Sequence, residues 1–373
     1  MNENKKIIRI ERLVHTPQNP LIIAELGTSH NGSIYKAKEL INAAAEAGAG
    51  CIKFQMIFAD EILSPNTGKV PLPGGNISLY DYFKALEMDL DEEFYEDIKK
   101  YTESKGLLFL CTPFGLKSAS ILKKLQPEMV KIASPELNFT NLLEEIAGWG
   151  LPIMLSSGVS RLSDIESAIS ILKPASQLCL LHCVTSYPAP ETDYNLKVLP
   201  NLAAIFGVPV GVSDHSADPE LVPALAIAMG ASVVEKHFCL SKTDPGLDDP
   251  IALPPEEFSK MTRAIRRAAQ ATDTETIAYY SLERGKDLVR QILGSGVKEL
   301  APSEKANYRR TNRSIHALRD IQKGEILKRD DYACLRTEKI LRPGLEPYWE
   351  KEIEGRTVRN FIPSGEGIRF EDI

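Results

Sequence analysis

No apolar run in the 373-residue chain reaches the roughly 18 residues that a membrane span needs. That absence argues against a membrane protein. There is also no basic stripe: Lys and Arg total 44 against 51 Asp and Glu, scattered, for a net charge of −7. Nucleic acid is therefore not the expected partner. A small anion is still open, because a local lysine cluster can outweigh a mildly acidic whole. The opening "MNENKKIIRIERL" has lysines but no apolar core, so it does not read as a signal peptide. Six cysteines show no CxxC spacing. Cys51, Cys111, Cys179 and Cys239 sit in apolar runs, the pattern of buried reduced thiols in a cytoplasmic protein. Neither a GxGxxG after the first strand-like run nor a P-loop occurs, so dinucleotides and nucleoside triphosphates lack their usual phosphate cradles.

What is present is a repeating beat. A short apolar run closes on a polar residue, and a segment with helical spacing follows. The runs cover 21–27, 51–56, 107–113, 129–135, 152–158, 177–184, 209–215 and 232–238. They are nearly continuously apolar, as parallel strands buried on both faces must be. Between them lie segments such as "SIYKAKELINAAAEAGA", with a serine start, an apolar stripe and a glycine stop. Eight such units predict an α/β fold, a (β/α)8 TIM barrel over residues 1–272, with 1–20 as an N-terminal extension. An open doubly wound sheet is the rival. The interval 57–106 is too long for one helix and carries the Pro/Gly-rich "SPNTGKVPLPGGNISLY", expected to form a loop over one mouth. Residues 273–310 read as a polar helical segment and then a linker. From 311 to 373 the texture becomes that of a small β-rich module. There "IQKGEILKRDD" (321–331) is echoed by "IPSGEGIRFED" (362–372), an internal duplication.

Catalytic groups in a barrel come from the C-terminal ends of several strands. This chain offers Glu25 on strand one, then Lys53 and Gln55 on strand two. Thr112 ends strand three, Lys131 and Ser134 lie on strand four, and Ser156 on strand five. His182 lies on strand six, with Thr185 and Tyr187 beyond it. Ser213, Asp214 and His215 end strand seven, and Glu235 and His237 lie on strand eight. Any one of these is as readily half of a structural ion pair. A set that tracks the ends of eight strands predicts a catalytic centre.

His215 and His237 end neighbouring strands, close enough to share a divalent ion, with Glu235 beside them or on a substrate. The bland alternative is two neutral histidines bonded to backbone. Spacing does not separate Mn²⁺, Mg²⁺ or Zn²⁺. Lys53 and Lys131 among Thr112, Ser134, Ser156 and Ser213 suit a small polyanion such as a phosphorylated carboxylate. A lysine Schiff base is the other use for either lysine.

The stretches "IIAELGTSHNGS", "IKFQ", "CTPF", "VKIASPE", "LSSG", "LLHCVTSYPAP", "VGVSDHS" and "EKHF" together resemble the sialic acid synthase family. That family includes N-acetylneuraminate, legionaminate and pseudaminate synthases and spore-coat polysaccharide relatives. "NRSIHALRDIQKGEILKRDD" is similar to its C-terminal antifreeze-like (SAF) domain. The likeness covers nearly the whole chain. It implies a cytoplasmic enzyme that condenses phosphoenolpyruvate with an open-chain N-acetylated amino sugar to a nine-carbon 2-keto acid. By the resemblance, Lys53, Thr112, Lys131, Ser134, Ser156 and Ser213 hold phosphoenolpyruvate. His215 and His237 hold a metal, usually manganese, with Mg²⁺ or Co²⁺ as alternatives. Glu25 acts near the reacting carbons. Thr185, Tyr187, Glu235 and Asp248 face the sugar. Arg313 reaches the sugar's N-acyl group from the partner of a domain-swapped homodimer.

The chain departs from the family pattern at Ser29, Thr185, Asp249 and Ala252, positions expected toward the sugar. The rivals are another metal-dependent barrel aldolase or a 3-deoxy-heptulosonate-type synthase, and a barrel retained for binding alone.

Overall fold

The structure is a computed structural model and describes residues 7–10, 12–72, 75–338 and 340–373. Its strands run in chain order β1 (Ile8–Ile10), β2 (Leu13–His15), β3 (Leu21–Glu25), β4 (Cys51–Met56), β5 (Lys69–Leu72), β6 (Gly75–Ser78) and β7 (Leu108–Pro113). They continue with β8 (Val130–Ile132), β9 (Pro152–Ser156), β10 (Gln177–Cys183), β11 (Val210–Asp214), β12 (Val233–His237), β13 (Ser314–Ala317) and β14 (Tyr332–Leu335). Eight of them form one parallel sheet in the order β7-β4-β3-β12-β11-β10-β9-β8. The two ends of that order, β7 and β8, lie against each other, which closes a (β/α)8 barrel. All eight predicted runs are its strands. Nearly every residue in them is buried, which is why they read as unbroken apolar runs.

Helices follow the predicted stripes. Ser33 caps the helix Ile34–Glu46 by accepting from Lys36 N at 3.3 Å, and the chain leaves it through Gly48 at φ +96°. The helix Leu221–Ala228 is buried on every side, so its pattern shows no amphipathic stripe.

The described part of the N-terminal extension includes an antiparallel strand pair, β1 with β2. Ile8 and Ile10 pack with Leu21, Cys51, Leu108, Met154, Cys179 and Val233 in a cluster at the strands' N-terminal ends. Gln177 ties the strand pair down, accepting from Arg9 N at 2.7 Å and donating to Ile7 O at 2.8 Å. The extension therefore plugs the barrel mouth opposite the proposed site. In the long second interval, β5 and β6 form an antiparallel hairpin ahead of the helix Leu79–Glu87.

Of the polar helical segment and linker expected over 273–310, the helical part extends through Leu293. Residues 273–293 are two helices, Asp273–Arg284 and Lys286–Leu293, packed on the barrel. They bury Tyr280, Val289, Ile292 and Leu293, and Leu196 N donates to Ile292 O at 2.9 Å. Only the stretch after Gly294 connects.

The C-terminal module pairs β13 with β14. The sequence duplication has a structural counterpart. Ile321 and Ile362 exchange backbone hydrogen bonds of 2.9 and 3.0 Å, and Gly324 and Gly365 both take positive φ, +92° and +87°. Each copy ends in a 3-10 turn closed by its last aspartate. Asp331 accepts from Lys328 N at 2.8 Å and Asp372 from Arg369 N at 2.9 Å. The module sits over the mouth of its own chain's barrel: Arg336 N donates to Ile62 O at 2.9 Å, and Asn66 Nδ2 to Ser364 O at 2.8 Å.

Candidate active site

Strand register assembles the site. Glu25 on β3 is paired with Lys53 on β4 and with His237 on β12. Ser213 on β11 pairs with Glu235 on β12, and Gln55 on β4 with Thr112 on β7. Residues in one register layer of a barrel point to one depth of its axis, so these groups meet. Lys53 Nζ lies 2.7 Å from Glu235 Oε1 and 3.2 Å from Glu25 Oε2. Lys131 Nζ donates to Ser156 Oγ at 2.7 Å and stands 3.6 Å from Glu235 Oε1. Ser213 Oγ donates to the same Glu235 oxygen at 2.9 Å, and Gln55 Nε2 donates to Glu25 Oε1 at 2.6 Å.

The burial of four charges sets their proton affinities. Burial would strip the Lys53 ammonium, but Glu235 and Glu25 outweigh it and push its pKa up. Burial would raise Glu235, but Lys131 and Lys53 hold it down to about 2. Lys131 has the poorer share: burial lowers it to about 8, more than Glu235 raises it, with Lys53 repelling. Burial raises the Glu25 carboxyl more than Lys53 lowers it, and the like charge of Glu235 adds.

A raised or lowered pKa is also a statement about ligands. Lys131 is charged below pH 8 and neutral above it. Affinity for a polyanion at this cluster should therefore fall as pH rises through about 8, by roughly tenfold per unit beyond it. Titration calorimetry with phosphoenolpyruvate from pH 6.5 to 9.5 checks this. A flat profile would remove Lys131 from the anion's contacts.

Beside the charges is a layer of hydroxyls. Ser134 Oγ accepts from Gly158 N at 2.9 Å. Thr112 Oγ1 and Thr185 Oγ1 are buried with no hydrogen-bond partner, a state that asks for a ligand. Gly158 has no alternative here: a Cβ on it would stand 2.1 Å from Thr185 Oγ1 and 3.0 Å from Ser134 Oγ.

Two imidazoles, at the ends of the neighbouring strands β11 and β12, line the same cavity. His215 Nδ1 is 2.9 Å from the Val184 carbonyl, which requires a proton there; in the neutral ring Nε2 then carries the lone pair. The rings of His215 and His237 have centroids 5.5 Å apart, and Tyr187 stacks on His215 at 4.2 Å. Burial, then the neighbouring His215, pushes His237 well below the usual imidazole range, so it is a neutral donor. Its Nδ1 lies 3.7 Å from Asp248 Oδ2. Burial, then Glu25, lifts Asp248 to about 6. Rings at this separation, with metal–nitrogen bonds of about 2.0–2.1 Å, can reach one ion. Among the described residues no group of three or more His, Cys, Asp or Glu is set to hold an ion. The donor set fits a cation with open coordination, not a closed structural site.

One cavity of about 590 Å³ is lined by Gln55, though not by His182 or Asp214, and by thirteen of the fourteen residues given roles by the family resemblance: Glu25, Lys53, Thr112, Lys131, Ser134, Ser156, Thr185, Tyr187, Ser213, His215, Glu235, His237 and Asp248. Arg313 is the exception and a correction. It is 1% exposed, and its guanidinium is bound 2.9 Å from Glu136 and donates to the Phe114, Cys334 and Glu61 carbonyls. No donor is left for a sugar. The arginine that lines the cavity is Arg336, at the end of β14, together with Glu338. Its signal was in the sequence: "YACLR" is an apolar strand closing on a charge, as in the barrel.

Glu235 lines the cavity and sits between the two lysines. Ser29 and Asp249 do not line it: Ser29 Oγ donates to Asp249 Oδ1, and Gly246 N to Asp249 Oδ2 at 2.7 Å, all buried. These departures from the family pattern are one hydrogen-bonded pair beneath the wall. Ala252 is likewise buried at 1%.

A model of the NeuB family matches residues 40–276, and one of the SAF domain matches 312–373. The N,N'-diacetyllegionaminic acid synthase of Legionella pneumophila is 34% identical over 100% of this chain and 99% of its own. The spore coat polysaccharide biosynthesis protein SpsE of Bacillus subtilis is 35% identical over 94% of this chain and 93% of its own. The crystal structure of the Bacillus subtilis protein superposes with a TM-score of 0.80, covering 98% of this chain and 99% of that one. With a barrel, a C-terminal module and one cavity that gathers the strand-end residues, the chain belongs to the NeuB family of sialic acid synthases and carries a C-terminal SAF domain.

Proposed function

We propose that the protein is a cytoplasmic transferase that condenses phosphoenolpyruvate with an N-acetylated amino sugar. N-acetylmannosamine or a diacetamido-dideoxy hexose is the acceptor, and the product is a nine-carbon 2-keto sugar acid. Phosphate leaves by C–O cleavage. The observation that carries this reading is the content of one cavity. Two buried ammonium groups, a layer of hydroxyls, Glu25 and two imidazoles all line it. The legionaminic acid synthase relative, matched end to end, supports it.

Lys53 and Lys131 bind the phosphate and carboxylate charges, with Thr112, Ser134, Ser156 and Ser213 as neutral donors. A divalent metal, manganese by preference, held by His215 and His237, supplies Lewis-acid polarisation of the sugar aldehyde when bound. Glu25 presents Oε2, buried and 3.2 Å from the Lys53 ammonium, toward the reacting carbons. There it stabilises the cationic centre that carbon–carbon bond formation leaves, or takes the proton of the water that adds. Asp248, lifted to about 6, hydrogen-bonds a sugar hydroxyl in either protonation state. Arg336, with Tyr187 and Thr185, faces the sugar's N-acyl end.

The test is phosphate release from phosphoenolpyruvate with neutral N-acetylated amino sugars and with phosphorylated aldoses. Release is expected with a neutral amino sugar, falling to background after EDTA and returning with Mn²⁺. Release with phosphorylated aldoses alone would favour a 3-deoxy-heptulosonate-type synthase instead.

A further inference from the structure

The connector between barrel and module is bonded to the substrate loops through backbone groups. Glu304 on it is 1% exposed. Its Oε2 accepts the backbone N–H of Val159 at 2.9 Å and of Thr185 at 3.0 Å, and its Oε1 accepts from Ala301 N at 3.1 Å. Val159 follows β9 and Thr185 follows β10, so one carboxylate spans two adjacent catalytic strands. Two asparagines complete the grip. Asn307 Nδ2, on the connector, donates to the Thr185 carbonyl at 3.1 Å, and Asn312 Nδ2, where the C-terminal module begins, to the Val159 carbonyl at 3.2 Å. The N–H and the C=O of both residues are thus held by the connector and its junction with the module. Val159 takes φ +42°, a conformation a β-branched residue rarely adopts unless its surroundings hold it.

What these two peptides carry is the hydroxyl layer. Gly158, next to Val159, donates to Ser134, and Thr185 bears the unpartnered hydroxyl beside Gly158. We propose that Glu304 is a positioning residue for the reaction. Through Val159 and Thr185 it sets the Thr185 hydroxyl and the Ser134–Gly158 pair against the substrate, so the pocket is competent only with the connector seated. The proposal rests on the synthase reading above. A carboxylate is needed because it offers acceptors to three N–H groups at once and bonds them more strongly than a neutral amide. A glutamine has one acceptor oxygen; serving Val159 and Thr185 would turn its NH₂ toward the Ala301 N–H.

The experiment compares wild type with Glu304→Gln, Glu304→Ala and Glu299→Gln, an exposed control on the same connector. Steady-state phosphate release, melting temperature and hydrogen exchange of peptides spanning 156–162 and 182–188 are measured on the full chain. The expected result is faster exchange in both peptides. With it, kcat/KM for phosphoenolpyruvate should fall by about tenfold or more in the alanine variant, toward the roughly 10²-fold that a 1 Å displacement costs. The loss should be smaller in the glutamine variant and absent in the control. A merely structural carboxylate would lower the melting temperature and the active fraction but leave KM alone. Faster exchange with kinetics within twofold of wild type, or unchanged exchange, overturns the proposal. If the alanine variant does not fold, the glutamine variant decides by the same readouts. If wild type releases no phosphate with any acceptor, the synthase reading falls separately. The calorimetric Kd for phosphoenolpyruvate then decides this one: weaker binding in the Glu304 variants supports it, and equal binding overturns it.

Discussion

Glu25→Gln is expected to lower kcat by roughly 10²–10⁴-fold, the range that a positioned proton acceptor contributes, with phosphoenolpyruvate bound within a few-fold of wild type. The substitution keeps shape and size and removes one charge. Glu25 is 1% exposed, so that charge is felt without water to screen it. Two consequences pull in different directions. At the reacting carbons, a negative oxygen facing a developing cation disappears. At Lys53, one of two carboxylates disappears, but Glu235 stays at 2.7 Å and keeps the ammonium charged. The anion therefore still finds its cation, and loses a nearby repulsive charge. Binding should hold or tighten while turnover collapses. Calorimetry with phosphoenolpyruvate beside single-turnover phosphate release separates the two. Lost binding with residual turnover would make Glu25 the organiser of Lys53 and not a reacting group.

The barrel was legible because its strands are buried on both faces, which leaves apolar runs too regular to mistake. The strand-end residues were legible for the same reason, since a lysine or histidine closing such a run is costly unless something uses it. What escaped has physical reasons too. Ile8 and Ile10 lie in a three-residue strand, too short for a period, yet they close one end of the core. The helical segment before the connector was legible, but the narrow apolar stripe within its polar sequence did not show that it docks on the barrel. Glu304 accepts from three backbone N–H groups, and backbone donors leave no trace in a side-chain pattern. Arg313 was placed by family resemblance alone, and its neighbour in chain gave no hint that Glu136 would claim it. Glu136 itself looked like an ordinary end to "IASPE".

That carboxylate predicts the largest stability effect. Glu136 is fully buried and faces two guanidinium groups: Arg313 Nε at 3.0 Å, and Arg336 at 2.7 and 3.1 Å. Both arginines belong to the C-terminal module, while Glu136 follows β8 of the barrel. Arg313 is held further by carbonyls of the loops after β4 and β7, Glu61 and Phe114. Burial already disfavours the Arg313 charge, and Glu136 is its main compensation while Arg336 repels it. Glu136→Ala leaves two cations adjacent with no counter-charge, one of them out of reach of water. Breaking a buried pair from one side costs about 3–5 kcal/mol, so the module should lose most of its hold on the barrel. Limited proteolysis should then cut between 294 and 312, and the melting curve should split or move down by several degrees. Glu136→Gln, which keeps an acceptor for both arginines but no charge, should fall between. Activity should follow docking, because Arg336 leaves the cavity with the module. A single transition near the wild-type temperature, with the connector still resistant to protease, would show that the hairpin and β14 contacts suffice and that the arginine pair adds nothing to the seat.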